Sequence, residues 1–152
     1  MGHTVIFPGS FDPITLGHEQ IIHKALSLFD SVVVAIGINA DKRTMFTVEQ
    51  RCSMIRTVFA NEPRVKVVAY DGLTVDFCIS QHIRYILRGL RSASDFDYEL
   101  GIAYANRALD NTIETLFLVA DPQYSHINSS IVRDVLRHKG NVSAFIPKTL
   151  TL

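Results

Sequence analysis

Two side chains able to bind or polarise a phosphate, Ser10 and His18, lie in a loop-forming stretch near the N-terminus. The stretch runs from Phe7 to His18, contains two prolines and two glycines, and separates an apolar run from an amphipathic one. Prolines and glycines hold a loop in a defined shape and let its backbone approach a ligand. His18 falls where a helix is predicted to start, and the free N–H groups there favour an anion. The stretch predicts a nucleotide phosphate site, although a tight strand-to-helix turn with a surface histidine explains the same spacing.

Cationic side chains follow two further apolar runs and could bind the same phosphates. Lys42 follows the second run; a lone loop lysine is usually just solvated. Arg88 ends the fourth run and is followed by Gly89, Leu90 and Arg91. An arginine at the end of an apolar strand needs a partner for its charge, and a phosphate can supply one through two parallel hydrogen bonds. We favour a ligand role for Arg88, whereas for both arginines the alternative is an ion pair with Asp95, Asp97 or Glu99.

A second predicted helix start, after the fifth apolar run, carries two serines. Asn128 or Ser129 could be an ordinary N-cap, but Ser129 and Ser130 with free amides beside them also suit a phosphate. Together with Lys42, the two helix starts predict a site for a polyphosphate and a second phosphorylated substrate. The chain has no Gly-x-Ser-x-Gly elbow that would carry a nucleophile. His18 is therefore better placed to stabilise developing negative charge than to attack.

Alternating apolar and amphipathic runs predict the elements that position these residues. Strands are predicted at His3–Phe7, Ser31–Gly37, Val65–Tyr70, Arg84–Arg88 and Thr112–Ala120. Helices are predicted at Gly17–Phe29, from a capping box at Thr47–Gln50 to about Ala60, at Leu73–His82, at Phe96–Leu109 after a polar turn Ser92–Asp95, and from Ser129 to about His138. Gly140 is predicted to end the last helix, and Pro147 to mark a short final element.

This alternation of strands and helices predicts an α/β fold, a Rossmann-like doubly wound five-stranded parallel sheet with helices on both faces. Ligands bind such sheets at the carboxyl ends of the strands, where the polar residues singled out above fall.

Composition bounds the function further. The 152 residues predict a single domain spanning 1–152, and the net charge of zero gives no global signal for nucleic acid or a membrane surface. No apolar run approaches the ~20 residues of a membrane span, and no signal peptide is evident, so we expect a cytoplasmic protein. Cys52 and Cys78 lie in apolar helical patterns, which predicts buried, inert thiols. No metal-ligand spacing occurs among the cysteines and histidines, so no residue is predicted to bind a metal directly.

The stretch Pro8–Pro13, followed by Thr15-Leu16-Gly17-His18, resembles the signature of the nucleotidylyltransferase superfamily. More closely, nearly the whole chain resembles the bacterial phosphopantetheine adenylyltransferase family. The matching elements include Lys42, Arg88-Gly89-Leu90-Arg91, Asp95-Phe96 with Tyr98-Glu99, and Ile127–Ser130 with Val132-Arg133. The resemblance implies reversible transfer of AMP from ATP to 4′-phosphopantetheine, which gives dephospho-coenzyme A and pyrophosphate. It further implies Mg²⁺ as cofactor, a homohexamer, and coenzyme A as a candidate inhibitor.

The resemblance also implies residue roles. His18 stabilises the α-phosphorus as charge develops there, and Lys42 and Arg88 complete the catalytic set. Ser10, Lys42, Thr74 and Arg88 bind the acceptor. ATP is bound by Ser10, Phe11, His18, Gly89, Leu90, Arg91, Glu99, Tyr124, Ser125, His126, Ile127, Asn128, Ser129 and Ser130. The chain departs from the family pattern where Ser10 replaces a common threonine, Asn128 a common serine and His126 an aromatic residue; Thr74 is apolar in some relatives.

Two other functions fit parts of the sequence. One is a nucleotidylyltransferase acting on a nicotinate or glycerol phosphate, against which the Arg88–Arg91 segment and the Thr74 region speak. The other is a non-catalytic nucleotide- or coenzyme A-binding protein. A pure binder would not need His18 beside the α-phosphate, so we favour the enzyme.

Overall fold

The computed structural model of the protein describes residues 3–152. The strands are β1 (Thr4–Gly9), β2 (Ser31–Ile38), β3 (Val65–Asp71), β4 (Tyr85–Leu90) and β5 (Glu114–Val119). The helices are α1 (Leu16–Leu26), α2 (Val48–Val58), α3 (Thr74–Ser80), α4 (Ala93–Leu109) and α5 (Ser129–Arg137), with one 3₁₀ turn at Pro122–Tyr124. Within residues 3–152, no helix combines the length and apolarity needed to cross a bilayer.

The five strands form one sheet in the order β3-β2-β1-β4-β5, and every neighbouring pair is parallel. The chain works outward in one direction from β1 to β3 and then returns to the other side of β1 with β4. Crossover helices diverge at this switch point and leave a crevice beyond the carboxyl ends of β1 and β4. The predicted fold class is confirmed.

Both faces of the sheet are covered, as its β-branched strands require. On one face, Ile22 of α1 and Ile55 of α2 pack with Val34 in a single buried cluster. On the other face, Val75 and Cys78 of α3 pack with buried strand residues. Cys52 and Cys78 are both free and buried, which confirms the predicted burial. Desolvation raises the pKa of the Cys78 thiol to about 11.

Several predicted boundaries are wrong by one turn or less, and two of them matter for the site. β4 continues to Leu90, so Gly89 and Leu90 pair with β5 instead of starting the loop. α4 begins at Ala93 with Ser92 as its N-cap, so most of the predicted polar turn Ser92–Asp95 is helical. The Ser92 side chain accepts the amide of Asp95, which satisfies an N–H group that the helix start leaves free.

The end of the chain also differs from prediction. Lys139, not Gly140, takes the left-handed conformation after α5, with φ of 57°. Gly140 follows it, and its amide donates to the Val135 carbonyl at 2.9 Å. Beyond α5 the described chain forms turns and no further strand or helix, so the element predicted at Pro147 is a turn closed by Leu150 N–H on the Pro147 carbonyl.

Candidate active site

Two cavities open at the carboxyl edge of the sheet and share one wall. The larger has a volume of about 500 Å³ and the smaller about 330 Å³. The shared wall consists of three residues at the end of β1, the loop lysine, and an ion pair between β4 and α4: Pro8, Gly9, Ser10, Lys42, Arg88 and Glu99. The structure therefore brings Ser10, Lys42 and Arg88 together at the boundary between two binding spaces.

His18 faces the smaller cavity from the first turn of α1. It is the third residue of a capping box whose N-cap is Thr15. The Thr15 amide donates to His18 Nδ1 at 3.0 Å, and Thr15 Oγ1 accepts the His18 amide. The ring of Phe11 packs against the imidazole with centroids 4.8 Å apart. These contacts fix the ring and use Nδ1 as an acceptor.

The charge state of His18 follows from its surroundings. Desolvation, with the nearby charges of Arg91 and Arg88, lowers the pKa of His18 from 6.5 to about 4. The side chain is therefore neutral at neutral pH. Because Nδ1 accepts the Thr15 amide, the single ring proton sits on Nε2. His18 thus offers one neutral N–H donor to a ligand in the smaller cavity.

Arg88 is held on two sides before any ligand binds. Its Nε and Nη2 donate to the two carboxylate oxygens of Glu99 at 2.7 and 2.6 Å, and its Nη1 donates to the Pro8 carbonyl at 2.8 Å. The alternative partner considered for Arg88 is thus present in the structure. The contacts with Glu99 and Pro8 use three of the five N–H donors of the Arg88 guanidinium, and two donors remain for a ligand. Glu99, predicted to bind ATP, contacts Arg88 and is 8% exposed.

Lys42 and Arg91 complete the cationic lining. Lys42 Nζ donates to Ser10 Oγ at 2.7 Å, which joins the second loop of the site to the first. Arg91 lines the smaller cavity and pairs with Asp95, its Nε 3.2 Å from Oδ2. Both cations keep N–H donors for a ligand, because neither pair uses all of them.

The start of α5 closes the smaller cavity with Ile127, Asn128, Ser129 and Ser130. Asn128 is the N-cap, since its Oδ1 accepts the Ile131 amide at 2.9 Å. The Ser129 hydroxyl donates to the Pro13 carbonyl at 2.8 Å and so joins the two helix starts. The predicted convergence of these helix starts on one cavity is present.

Other predicted nucleotide ligands are placed differently. Gly89 lines the smaller cavity, and a Cβ on it would lie 3.1 Å from Ile21 Cγ1, so α1 packs closely against the backbone of Gly89. Phe11 lines the cavity too, but its ring is buried against His18. Four predicted ligands lie outside its lining: Leu90, Tyr124, Ser125 and His126. His126 instead packs edge-on against Phe145.

The larger cavity contains Thr74, as expected for an acceptor site, together with residues that sequence reasoning missed. The Tyr70 hydroxyl and Thr74 Oγ1 are hydrogen-bonded at 2.8 Å, and Asn106 of α4 also lines this cavity. Tyr70 is the last residue of the predicted third strand, and Asn106 lies three residues before the end of α4. Their role depends on which helix covers the sheet, which sequence alone does not give.

Asp12 and Arg133 are further cleft residues that sequence reasoning did not single out as ligands. Asp12 is 3% exposed, and Arg133 Nη1 donates to its carbonyl at 2.8 Å while Nη2 donates to Ser130 Oγ at 3.1 Å. Arg133 lies one turn after Ser129, and this helical spacing could have indicated its place beside the serines.

Comparison with known proteins places this geometry in a family. The sequence profile of the cytidylyltransferase-like family matches residues 6–135. A curated relative from Flavobacterium johnsoniae, named phosphopantetheine adenylyltransferase, is 53% identical over 93% of each chain. The chain belongs to the phosphopantetheine adenylyltransferase family. A relative of the same name from Lachnoclostridium phytofermentans is 43% identical over 95% of this chain and 89% of its own.

Membership of the phosphopantetheine adenylyltransferase family makes the chain a nucleotidyltransferase of coenzyme A biosynthesis. Solved structures agree in fold. A Vibrio parahaemolyticus protein assigned as a nicotinate-nucleotide adenylyltransferase superposes with a TM-score of 0.67 at 19% identity, over 98% of this chain and 96% of its own. A lipopolysaccharide core biosynthesis protein from Thermoplasma volcanium has a TM-score of 0.56 at 19% identity, over 80% of this chain and 98% of its own.

Proposed function

We propose that the protein transfers the adenylyl group of ATP to the phosphate of 4′-phosphopantetheine, forming dephospho-coenzyme A and pyrophosphate. The observation that carries this proposal is the wall shared by the two cavities. A transfer between two substrates needs two binding spaces that meet where the bond forms, and Ser10, Lys42 and Arg88 lie at that meeting point.

The smaller cavity is proposed to hold ATP and the larger one the pantetheine arm. An oxygen of the acceptor phosphate attacks the α-phosphorus, and the bond from that phosphorus to the bridging β-oxygen breaks, so that pyrophosphate leaves. Lys42 and the two free N–H donors of Arg88 hold the acceptor phosphate at the boundary. Negative charge grows on the α-phosphate oxygens, and His18 Nε2–H donates to them.

Neutral His18 suits this role. A neutral donor needs no proton transfer to the phosphate, and its ring is already oriented by Thr15 and Phe11. Preorganised donors of this kind act without reorganisation at the moment of reaction. Lys42, Arg91 and Arg133 supply the positive charge that a polyphosphate requires.

Mg²⁺ is proposed to enter bound to ATP. Among residues 3–152, no group of three or more His, Cys, Asp or Glu side chains could hold a metal ion. Asp12, the buried carboxylate of the cleft, uses both oxygens on backbone amides. Mg²⁺ often binds substrate phosphates and water with few protein ligands, and at this site it would neutralise phosphate charge.

The proposed assembly is a homohexamer in the cytoplasm. α4 exposes Tyr98 and Tyr104, which are 71% and 66% accessible, and Leu109 follows near its end. Large apolar side chains on one helix favour burial against another copy of the chain. Both cysteines are free thiols, as is usual in reducing compartments. Sedimentation velocity measures the mass of the assembly, and a monomer would contradict the hexamer.

The test of the reaction is pyrophosphate release from ATP and Mg²⁺ with 4′-phosphopantetheine as acceptor. Nicotinate mononucleotide and glycerol 3-phosphate serve as the alternative acceptors, and dephospho-coenzyme A with pyrophosphate tests the reverse direction. Coenzyme A is added as the proposed inhibitor. Folded protein that releases pyrophosphate with another acceptor, but not with phosphopantetheine, would overturn the proposal.

A further inference from the structure

The loop that carries Lys42 is fastened to the first loop of the site by two buried charged side chains. This loop, residues 39–47, joins β2 to α2 and is largely exposed. Asp12 comes from the first loop and Arg51 from α2, and they are 3% and 4% exposed. Buried charges are costly unless every one of them is hydrogen-bonded, so their partners indicate what they do.

The Asp12 carboxylate accepts hydrogen bonds from the backbone of the Lys42 loop. Its Oδ2 accepts the Met45 amide and its Oδ1 accepts the Phe46 amide, each at 2.9 Å. Two successive amides on the two oxygens of one carboxylate fix both the position and the direction of the chain three residues after Lys42. Charge-assisted bonds of this kind are stronger than neutral ones.

Arg51 completes the attachment from the other side. Its Nε donates to the Phe46 carbonyl at 3.1 Å, and its Nη1 donates to the Ser10 carbonyl at 2.7 Å. One guanidinium therefore bridges the Lys42 loop and the backbone of Ser10. Lys42 Nζ then meets Ser10 Oγ at 2.7 Å across the same junction.

Asp12 lines the smaller cavity, and each of its carboxylate oxygens accepts one backbone amide of the Lys42 loop. Arg133 is the other cation near it, with Nη1 3.8 Å from Oδ2, and it bonds the Asp12 carbonyl instead. Arg51 lies outside the lining of these two cavities and lines a smaller neighbouring cavity of about 220 Å³ with Ser10 and Lys42. Asp12 and Arg51 thus both hold the backbone that carries Ser10 and Lys42.

We propose that Asp12 and Arg51 are positioning residues that hold Lys42 at the boundary between the two cavities, and so determine how well the acceptor phosphate is bound. This inference rests on the proposed function of Lys42 as a ligand of that phosphate. It adds the requirement that the loop be preorganised, because a flexible lysine on an untethered loop would lose rotamer and backbone freedom on binding.

The first test compares Asp12→Asn and Arg51→Lys with two control variants. Asparagine keeps one acceptor of the two, and lysine keeps the charge but lacks the two separate nitrogens with which Arg51 reaches the Phe46 and Ser10 carbonyls. One control is Asp41→Asn, at an exposed position of the Lys42 loop. The other is Arg56→Lys in α2, where the Arg56 guanidinium contacts only the Val67 carbonyl, at 3.4 Å. Loss of one charge-assisted bond predicts an about tenfold rise in KM for phosphopantetheine, with KM for ATP changed less than about twofold.

A Lys42→Ala background separates positioning from general damage. If Asp12 acts through Lys42, Asp12→Asn has no further effect on the acceptor KM once Lys42 is alanine, because residues of one unit are not additive. Additive effects of the two substitutions, or an equal rise in KM for ATP, would overturn the inference.

Limited proteolysis measures the tether without any turnover. Trypsin cleaves after Lys42 and Arg43, and mass spectrometry reports the rate at each site. Asp12→Asn and Arg51→Lys should accelerate cleavage there about tenfold, whereas the Arg56→Lys control should match the wild type. Unchanged cleavage in both variants would overturn the tether. If Lys42→Ala leaves the acceptor KM unchanged, the proposed role of Lys42 fails, while the cleavage rates still decide whether the loop is held. Should Asp12→Asn not fold, Arg51→Lys carries both measurements.

Discussion

Replacing His18 by glutamine tests the charge state that the structure gives this residue. In the folded protein the pKa of His18 is about 4, whereas in the unfolded chain it is near 6.5. Glutamine removes the titration but keeps the capping box, because Gln50 already fills the same position in α2. There its Oε1 accepts the Thr47 amide at 2.9 Å. The variant therefore changes acid sensitivity without removing the cap of α1.

The sign and size of the effect follow from proton linkage. As pH falls below about 6.5, His18 becomes protonated in the unfolded chain but stays neutral in the folded chain. The free energy of unfolding therefore decreases. Below about pH 4 both states are protonated and the loss stops. A pKa lowered from 6.5 to about 4 corresponds to about 3 kcal/mol in all. About 2 kcal/mol of this falls between pH 7.5 and pH 5.

The assay is urea denaturation of the wild type and His18→Gln across that pH range. The difference between their free energies of unfolding should be constant above about pH 7. At pH 5 this difference should have shifted by about 2 kcal/mol in favour of the variant, because the wild type alone is destabilised by the titration of His18. His138→Gln, at an exposed position after α5, controls for deletion of any histidine. Parallel curves for His18→Gln and the wild type would refute the lowered pKa.

Imidazole NMR signals should show the proton on Nε2 at neutral pH, and a proton on Nδ1 would refute the assigned donor.

Three other substitutions or reagents test separate parts of the structure. His18→Ala should lower kcat on the order of 100-fold or more while calorimetry finds ATP binding within a few-fold, whereas an equal loss of binding would make His18 a ground-state contact. Glu99→Gln should lower the free energy of unfolding by about 1–3 kcal/mol, because it removes the charge and one of the two acceptors that hold Arg88 in a partly buried pair; unchanged urea stability would contradict that. The Cys78 thiol should react with Ellman's reagent only on unfolding, since it is buried and its pKa is about 11. Rapid reaction in buffer would contradict its burial.

Sequence patterns were sufficient for the sheet because local chemistry decides its strands. The run from Ser31 to Gly37 is almost entirely β-branched or small, which suits a strand buried on both faces. Thr47 and Gln50 form the predicted capping box, since both partners lie within one turn. The convergence of Ser10, Lys42 and Arg88 could also be predicted, because the ends of parallel strands meet at one edge.

Long-range choices could not be predicted in the same way. Asp95 and Glu99 lie one turn apart on α4, and only the packing of α4 on β4 selects Glu99 for the two-bond pair with Arg88. Asp12 finds its partners 33 and 34 residues along the chain, in a loop without any regular pattern. Lys139 adopts the left-handed conformation after α5, although glycine, the residue type that tolerates this conformation best, follows it at position 140.

The shared wall between the cavities also bears on how acceptor preference could change during evolution. Beyond that wall the lining separates, with Tyr70, Thr74 and Asn106 on one side and Ile127–Ser130 on the other. With the substrates placed as proposed, mutations near Thr74 would alter which acceptor tail fits without changing the residues proposed to surround the nucleotide. Substitutions at the start of α5 would likewise leave the lining of the larger cavity unchanged. Such a chain could evolve to accept a different substrate in one cavity while selection conserves the residues of the shared wall.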